Sequence, residues 1–285
     1  MSILVFGGSG QVGMELRRRA SDETMIFADR ARADFTRPED CVAVLAEVQP
    51  DAVINAVAYT AVDKAEEEEE LATIINGDTP GALAREAAIR GIPFVTISTD
   101  YVFDGTGEAP WSVDALTDPL GAYGRSKLAG ELAVRAAGGT HAILRTSWVV
   151  SAHGKNFLKT MLQLGKEREK LTIVADQVGG PTCAADIAAA CVTIVQNLYE
   201  DPGKSGTYHF SAAPDVSWAG FAREIFDQAG IDCEVQDIPT SAYPTPAKRP
   251  ANSRLDNSLT AKTFGIDRPD WRQGITQILS ELGDR

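Results

Sequence analysis

The chain has 285 residues, 44% of them hydrophobic and 24% charged, the composition of a globular protein with ample core. Its net charge of −13, with no basic stripe, argues against a nucleic-acid partner. No apolar run approaches the ~20 residues of a membrane span, and Cys41, Cys183, Cys191 and Cys233 form neither a CxxC pair nor a zinc spacing. Residues 1–7 carry no basic n-region and break off too soon for a signal peptide, so reduced thiols in a cytoplasm are expected.

Residues 3–6 form a short β-branched run, and Gly7-Gly8-Ser9-Gly10-Gln11-Val12-Gly13 follows at once. A helical pattern comes next, ending in Arg17-Arg18-Arg19, where cations suit the helix dipole. Strand, glycine loop and helix together are the context that a dinucleotide fingerprint requires. Gly7 then makes the tight turn, Gly10 lets the backbone approach a pyrophosphate, and Gly13 packs helix on strand. The spacing is GxxGxxG rather than GxGxxG, and an ordinary glycine-rich turn is the alternative. Residues 25–28 read as a second strand ending in Asp29-Arg30. Asp29 stands roughly 20 residues beyond the loop, where an acid takes the adenosine ribose hydroxyls of NAD. Arg30 and Arg32 beside it suit the 2′-phosphate of NADP instead, so the balance leans to NADPH with NADH tolerated. Asp34-Phe35 either frames the adenine or is a plain loop.

Thr36 is expected to cap a helix with Pro38 in its first turn, running to about Val48. Residues 52–55 read as a third buried strand. Asn55-Ala56-Val57-Ala58-Tyr59-Thr60 leaves its carboxyl end, the edge where ligands sit in open parallel sheets. This places Ala58, Tyr59 and Thr60 at the cofactor. The acidic run 66–70 reads as an exposed helix start rather than a metal site. Thr79-Pro80 opens the next helix and Gly91 ends it. Residues 94–98 are the fourth strand, with Thr99-Asp100-Tyr101-Val102-Phe103 just beyond. A loop rich in Gly, Pro and Asp (104–119) leads to Tyr123-Gly124-Arg125-Ser126-Lys127. A tyrosine and a lysine four residues apart share one helix face. A free phenol titrates near ~10, and a neighbouring ammonium draws it down toward physiological pH. YxxxK alone is common on surface helices; the glycine loop and Ser98-Thr99-Asp100 give it context. Residues 142–145 are the fifth strand, followed by Thr146-Ser147-Trp148-Val149-Val150. Five strands alternating with helices imply an α/β protein with a doubly wound parallel, Rossmann-like sheet.

Beyond Trp148 the rhythm changes. Helices are expected at 157–166, 184–198, 218–229 and 271–282, and strands at 171–174, 206–210 and 235–238. Ile187, Cys191, Ile194 and Leu198 recur at helical spacing and should face a core. Residues 239–250 are punctuated by proline. The expected division is a dinucleotide-binding domain, 1–150, to which 171–198 returns, and a smaller C-terminal substrate-binding domain, 151–170 with 199–285.

The glycine loop, Thr60-Ala61-Val62-Asp63-Lys64-Ala65-Glu66, Ser98 to Gly105, Tyr123 to Glu131, Arg145-Thr146-Ser147-Trp148-Val149 and Pro244 to Leu255 run in order along nearly the whole chain. Together they resemble the dTDP-4-dehydrorhamnose reductases, a family of extended short-chain dehydrogenases/reductases. The Trp148 segment and Arg249-Pro250-Ala251-Asn252-Ser253-Arg254-Leu255 are the specific ones. The resemblance implies NADPH-dependent reduction of the C4 keto group of dTDP-4-dehydro-L-rhamnose, the last step of dTDP-L-rhamnose synthesis. It further implies that Tyr123 protonates the developing alkoxide, that Lys127 lowers its pKa and holds the nicotinamide ribose, and that Thr99 donates to the same oxygen. Gly7, Gly10, Gln11, Val12 and Gly13 then meet the cofactor. Asp100 and Trp148 become substrate contacts, the alternative for Trp148 being a core aromatic. Arg249 and Arg254, with Asn252, are assigned to the nucleotide sugar, whose diphosphate needs cations in an acidic protein; surface solubility is the alternative for the two arginines.

The chain departs from the family pattern at Val150-Ser151, where an aromatic residue and a glycine usually stand. Some members carry magnesium at a subunit contact involving an early glutamate. Glu15 matches that position, but no partners are placed for it near Asp186 and no metal is assigned. His141, His153 and His209 fit no ligand set and are read as structural. The expected partners are a small-molecule nucleotide sugar and a second copy in a homodimer, with no nucleic acid and no membrane. The rivals are a reductase or epimerase of another nucleotide-linked keto-sugar and a non-catalytic NADP-binding regulatory subunit.

Overall fold

The structure is a computed structural model that describes residues 1–20 and 25–283. Side chains alternate across its central sheet. In β1 (Ile3–Phe6), Ile3 and Val5 join one apolar layer while Leu4 and Phe6 join the other. β2 (Met25–Ala28), β3 (Ala52–Asn55), β4 (Phe94–Thr99) and β5 (His141–Thr146) complete the five expected strands. Gly206–His209 adds a sixth, giving the order Gly206–His209, β5, β4, β3, β1, β2, all parallel. The chain runs outward from β1 to β2, then crosses to β3 on the other side. That reversal opens a crevice at the carboxyl ends of β1 and β3.

Helices Gln11–Arg19 and Ala184–Glu200 cover one face, and Pro38–Val48 and Thr79–Arg90 cover the other. Ile187, Cys191, Ile194 and Leu198 are all fully buried against the first face. Two helix starts differ from expectation. Pro38–Val48 is entered from Arg37 with no side-chain cap, and the Thr36 N–H is instead given to Asp34. Thr79-Pro80 does open the α-helix Thr79–Arg90, but not from a coil: the chain is already helical in Glu69–Thr73 and passes through a π turn at Ile74–Asp78. The π turn shifts the hydrogen-bond register just where Pro80 has no N–H to give. Gly91 does end this helix, in the left-handed conformation.

The division along the chain also differs. Lys170–Val174, expected to return to the main sheet, pairs in parallel with Glu234–Ile238 instead. Lys170 and Thr172 are exposed on one side of it, a pattern unsuited to a strand covered on both faces. Gly206–His209, expected in the substrate-binding domain, takes the sheet edge beside β5 and buries Tyr208 against helix Ala184–Glu200. Helices Phe157–Glu167, Trp218–Ala229 and Trp271–Leu282 close a separate core around Phe221, Ile225, Trp271 and Leu279. Helix Ser258–Phe264 was not anticipated.

Between β4, β5 and helix Ala122–Ala136 lies a buried charge cluster. Arg145, only 1% exposed, grips Glu131 through Nε and Nη2 at 2.8 and 2.7 Å. Ser98 and Arg135 donate to the same carboxylate at 2.6 and 2.7 Å. Burial works to raise the Glu131 pKa, yet Arg145, Ser98 and Arg135 outweigh it and hold the carboxylate below its usual range. Arg145 also reaches the Val113 carbonyl and His209 Nε2, and burial with the nearby guanidinium pushes His209 down to about 4. Replacing Arg145 by Met removes two of the bonds to Glu131 and leaves this buried charge with Arg135 as its only ion-pair partner among the described residues. The expected loss is about 3–5 kcal/mol of unfolding free energy in urea titrations at pH 7. Because the Glu131 pKa is depressed, its contribution in the parent fades as pH falls through the acid range, so the gap between Arg145→Met and parent narrows there.

Candidate active site

β1 ends at Gly7, whose φ of +92° is left-handed and whose Cα lies so close to β3's exit that a Cβ would stand 2.9 Å from Val57 N. A Cβ on Gly13 would strike the Gly7 carbonyl, so this glycine packs helix on loop. Gly10 differs from both. Its φ of −76° suits any residue, and an added Cβ would meet only the Gly7 carbonyl, at 3.6 Å. Nothing inside the fold requires glycine there, which leaves the open space in front of it as the reason. The helix Gln11–Arg19 has no side-chain cap at Gly10, so its first N–H groups point uncommitted into that space. Val12 is buried in the core, and the Gln11 side chain is held by Ser151 and Asn156. With Gly13, these residues offer a ligand their backbone alone.

A cleft of about 400 Å³ runs from this loop across the sheet reversal. Asp29, Arg30, Asp34 and Phe35 line one side, and Ala58, Tyr59 and Thr60 the other. Arg32 is paired with Glu47 at 3.0 Å, outside the lining, whereas Arg30 is 83% exposed on its side chain and only 4.0 Å from Asp34. Phe35 is fixed edge-to-face on Phe6 and forms a rigid wall. Two asparagines hold the opposite wall. Asn55 accepts the Val57 N–H at 3.0 Å and donates to Thr96. Asn76, in the π turn, accepts the Tyr59 N–H at 2.8 Å and donates to Tyr59 O and to Ser126 Oγ. Asn76 thereby locks the cleft wall to helix Ala122–Ala136. Sequence reasoning missed it, because an asparagine inside a helical run signals a clamp only once the π turn is seen.

The acidic run 66–70 does more than begin a helix. Glu66 accepts the Ala122 N–H at 2.9 Å and Glu69 grips Arg125 at 2.7 and 2.8 Å, so carboxylates hold the N-terminus of helix Ala122–Ala136. Tyr123 in its first turn packs, as Tyr59 does, on the alanine cluster Ala65, Ala72 and Ala122, and lies edge-to-face on Tyr101, 5.4 Å away. Burial pushes the Tyr123 phenol up to about 12, with the Thr99 hydroxyl pulling it down and Asp100 pushing it up. Lys127, buried one turn on, donates from Nζ to the Ile97 carbonyl at 2.7 Å. Burial pulls Lys127 down to about 8, against the opposing pull of Glu131. The expected lowering of the Tyr123 pKa by Lys127 is therefore not what this structure has: desolvation governs both groups. Thr99 donates to Asp100 Oδ1 at 3.1 Å and accepts the Tyr101 N–H at 3.2 Å.

On the far side of Tyr101 a second cleft of about 590 Å³ is lined by Arg249, Phe157, Met161, Trp218 and Tyr243, with Arg168 and Lys170 also present. Trp148, left-handed at φ +48°, stacks on Trp218 with ring centroids 3.5 Å apart and so stands as the layer behind that wall. Trp218, Arg168 and Lys170 escaped the sequence reading because only the pairing of Lys170–Val174 with Glu234–Ile238 brings them to this face. Arg249 is paired with Asp63 at 2.7 Å, and its buried Nη1 has no partner. Asn252 and Arg254 do not line the cleft. Asn252 is buried and spends its amide N–H on the Ala109 and Thr106 carbonyls and its oxygen on Arg254, so the pair clasps the loop 104–119.

Residues 1–283 match the family model described as the RmlD substrate binding domain. The chain is 45% identical to a dTDP-4-dehydrorhamnose reductase of Burkholderia thailandensis, with 99% of each covered. The chain belongs to the dTDP-4-dehydrorhamnose reductase family. A solved family member from Clostridium acetobutylicum superposes with a TM-score of 0.92 at 38% identity, covering 99% of this chain and 100% of that one. One from Bacillus anthracis, in complex with NADP, gives 0.90 at 34% identity, again covering 99% and 100%.

Away from both clefts, Glu15 meets a partner set that this family's resemblance did not supply. His153 Nε2 lies 2.8 Å from Glu15 Oε1, Glu281 completes the group, and ligand atoms of the three fall within 4.8 Å of one another. His153, read as fitting no ligand set, thus joins two carboxylates. Arg18 bridges both carboxylates at 3.4 and 2.6 Å. An imidazole and a guanidinium fit an ion-pair cluster rather than the oxygen set that magnesium prefers.

The contrast between the glycines is testable. Gly10→Ala should keep the parent melting temperature yet weaken dinucleotide binding by roughly tenfold or more, about 1.4 kcal/mol, in fluorescence titrations. Gly13→Ala should lower the melting temperature itself. Unchanged binding in Gly10→Ala would remove the loop from the ligand site.

Proposed function

We propose that the protein reduces the C4 keto group of dTDP-4-dehydro-L-rhamnose to dTDP-L-rhamnose, the last step of dTDP-L-rhamnose biosynthesis. One observation carries this: Tyr123, with Thr99 at its hydroxyl, lies edge-to-face on Tyr101 of the aromatic cleft and shares an alanine cluster with Tyr59 of the dinucleotide cleft. When bound, NADPH supplies the hydride that becomes the new C4–H bond. Tyr123, protonated at neutral pH because burial holds it near about 12, gives its proton to the carbonyl oxygen as that oxygen gains charge. Thr99 donates a hydrogen bond to the same oxygen, and preset donors of this kind are worth several kcal/mol each, about 3 in a typical case. Lys127, charged below about 8, has two N–H groups left after Ile97 for the nicotinamide ribose.

Asp29 and Arg30 share the adenosine end, the acid suited to ribose hydroxyls and the guanidinium to a 2′-phosphate. This mixed pair supports NADPH as the main cofactor with NADH tolerated. Arg249 meets the diphosphate, exchanging Asp63 for it, and its partnerless Nη1 makes the contact bidentate. Trp218 backed by Trp148 offers the apolar face of the sugar a flat wall. We assign dinucleotide binding to the six-stranded unit and sugar-nucleotide binding to the face of the smaller one. No helix among the described residues is long and apolar enough to cross a membrane. Four buried free cysteines support a cytoplasmic setting, and a homodimer is the assembly to look for by light scattering.

NADPH consumption against a panel of nucleotide keto-sugars tests the substrate, and a preference for another sugar would favour the rival reductase reading. Tyr123→Phe should bind NADPH normally but turn over at least ~100-fold more slowly, as loss of a general acid demands. Near-normal turnover would end the assignment of Tyr123 as general acid, whereas no turnover by the parent with any sugar of the panel would favour a regulatory subunit. Arg249→Ala should raise KM for the nucleotide sugar by roughly tenfold with a smaller change in kcat, since it removes binding common to ground and transition states.

A further inference from the structure

We propose that Gln177 is a positioning residue for the substrate: its side-chain amide pins the Trp218 indole and ties it to the segment 239–249, so that the flat wall and Arg249 stand at a fixed spacing. The inference rests on the reading of the aromatic cleft as the seat of the nucleotide sugar. Of the two side chains expected at the sugar, Asp100 is 1% exposed. Trp148 is hemmed in by Gly179, where an added Cβ would stand 3.0 Å from its Cε2, and by Trp218, stacked at 3.5 Å. Trp218 is the indole that borders the cleft. Stacking is non-directional within the ring plane, so it holds two indoles apart without fixing how one is turned on the other. The single polar atom of the ring does fix it. Trp218 donates its Nε1–H to Gln177 Oε1 at 3.2 Å. Backbone pairing brings the two together: Ser217 stands opposite Val178 in an antiparallel pair, so the next residue on each side is Trp218 facing Gln177.

The bonds run in one direction. An indole N–H can only donate, so Gln177 must turn its oxygen to Trp218 and its NH2 group away. There Nε2 donates to Thr240 Oγ1 at 3.1 Å, and Thr240 gives its own proton to Asp176 Oδ1 at 2.6 Å. The Thr240 backbone N–H goes to both Asp176 oxygens, at 2.8 and 2.9 Å. Burial works to raise the Asp176 pKa, yet the Thr240 hydroxyl and N–H outweigh it and hold the carboxyl below its usual range. At neutral pH Asp176 therefore only accepts, and every link in the chain keeps its polarity. Gln177 is 6% exposed, so its two bonds are shielded from exchange with water. Thr240 opens the turn Thr240–Ala242, and Tyr243, Thr245 and Arg249 beyond it all line the cleft. The far end of that stretch is held at Asp63, which accepts the Ala247 N–H and pairs with Arg249. One amide thus joins the aromatic wall to the stretch that carries the cation.

The test uses the full-length enzyme with NADPH and its nucleotide keto-sugar, and dTDP alone as a binding probe read by tryptophan emission. Gln177→Met keeps the length of the side chain and loses both bonds. Its KM for the sugar and Kd for dTDP should each rise roughly tenfold, with kcat within ~3-fold of the parent and NADPH binding within ~2-fold. In nitrogen-15 NMR the Trp218 indole N–H, identified by its loss in Trp218→Phe, should exchange with solvent at least ~10-fold faster in Gln177→Met. Action through the indole also demands coupling. Added to Trp218→Phe, which keeps a ring but has no N–H, Gln177→Met should change the sugar KM by less than ~2-fold. Thr240→Val cuts the chain at its more exposed end and should raise the sugar KM at least ~3-fold. A sugar KM within ~2-fold of the parent in Gln177→Met, or a rise of roughly tenfold on top of Trp218→Phe, overturns the proposal. If Gln177→Met does not fold, a parent-like KM in Thr240→Val overturns it instead. Failure here is separable from failure of the assigned reaction: a parent that reduces no sugar of the panel ends that assignment, whereas an active parent beside an unaltered Gln177→Met sinks this inference alone.

Discussion

Glu131 ties together most of what positions the site. Its carboxylate takes two bonds from Arg145 on β5, one from Ser98 on β4 and one from Arg135 on its own helix. With Tyr123 and Lys127 it forms a ladder at four-residue intervals, so fixing its end fixes the rotation and height of the helix face above. The other end is held by Glu66 and Glu69, and the middle by Asn76 through Ser126. Tyr123 can serve two clefts only because it sits on a helix clamped at three points. A buried ion pair of this kind is weak evidence for stability, since desolvation offsets much of its attraction. Its value here is geometric: bidentate bonds tolerate little displacement.

Desolvation sets the chemistry as firmly as the bonds set the geometry. The same burial pushes the Tyr123 phenol up, the Lys127 amine down and the Asp100 carboxyl up. Each shift favours the neutral form, as a medium of low polarity must. A site that keeps its acid protonated needs little rearrangement when charge develops on the substrate, which is where preorganised donors gain their worth. The one cation at hand, Lys127, serves by its remaining N–H groups rather than by lowering its neighbour's pKa. Acidity elsewhere is handled by pairing: Asp63 holds Arg249, and Arg18 quiets the carboxylates around Glu15.

Much of this was legible in the order of residues. A short apolar β-branched run in residues 3–6, a glycine loop, and a polar exit from each strand belong to short windows whose physics is local, so the sheet and the dinucleotide cleft could be anticipated. Gly7, Gly10, Asp29, Arg30, Asp34, Phe35, Ala58, Tyr59 and Thr60 do line one cleft. Asn252 and Arg254 read as substrate contacts from their place in a motif, yet their side chains hold a loop. Lys170–Val174 looked like a returning strand for the same reason: its sequence shows that it is extended but not what it pairs with.

The sequence by itself determined the doubly wound sheet, the glycine turn and the shared face of Tyr123 and Lys127, because each follows from backbone geometry and side-chain period within a few residues. Tertiary structure alone decided which strand took the sheet edge, how Asn76 and Glu131 clamp the Tyr123 helix, and that Arg249 is paired with Asp63. It also decided the shifts of the buried and paired titrating groups, since their partners come from residues up to 263 positions apart, as with Arg18 and Glu281. Long-range contact is the one quantity that a local pattern does not contain.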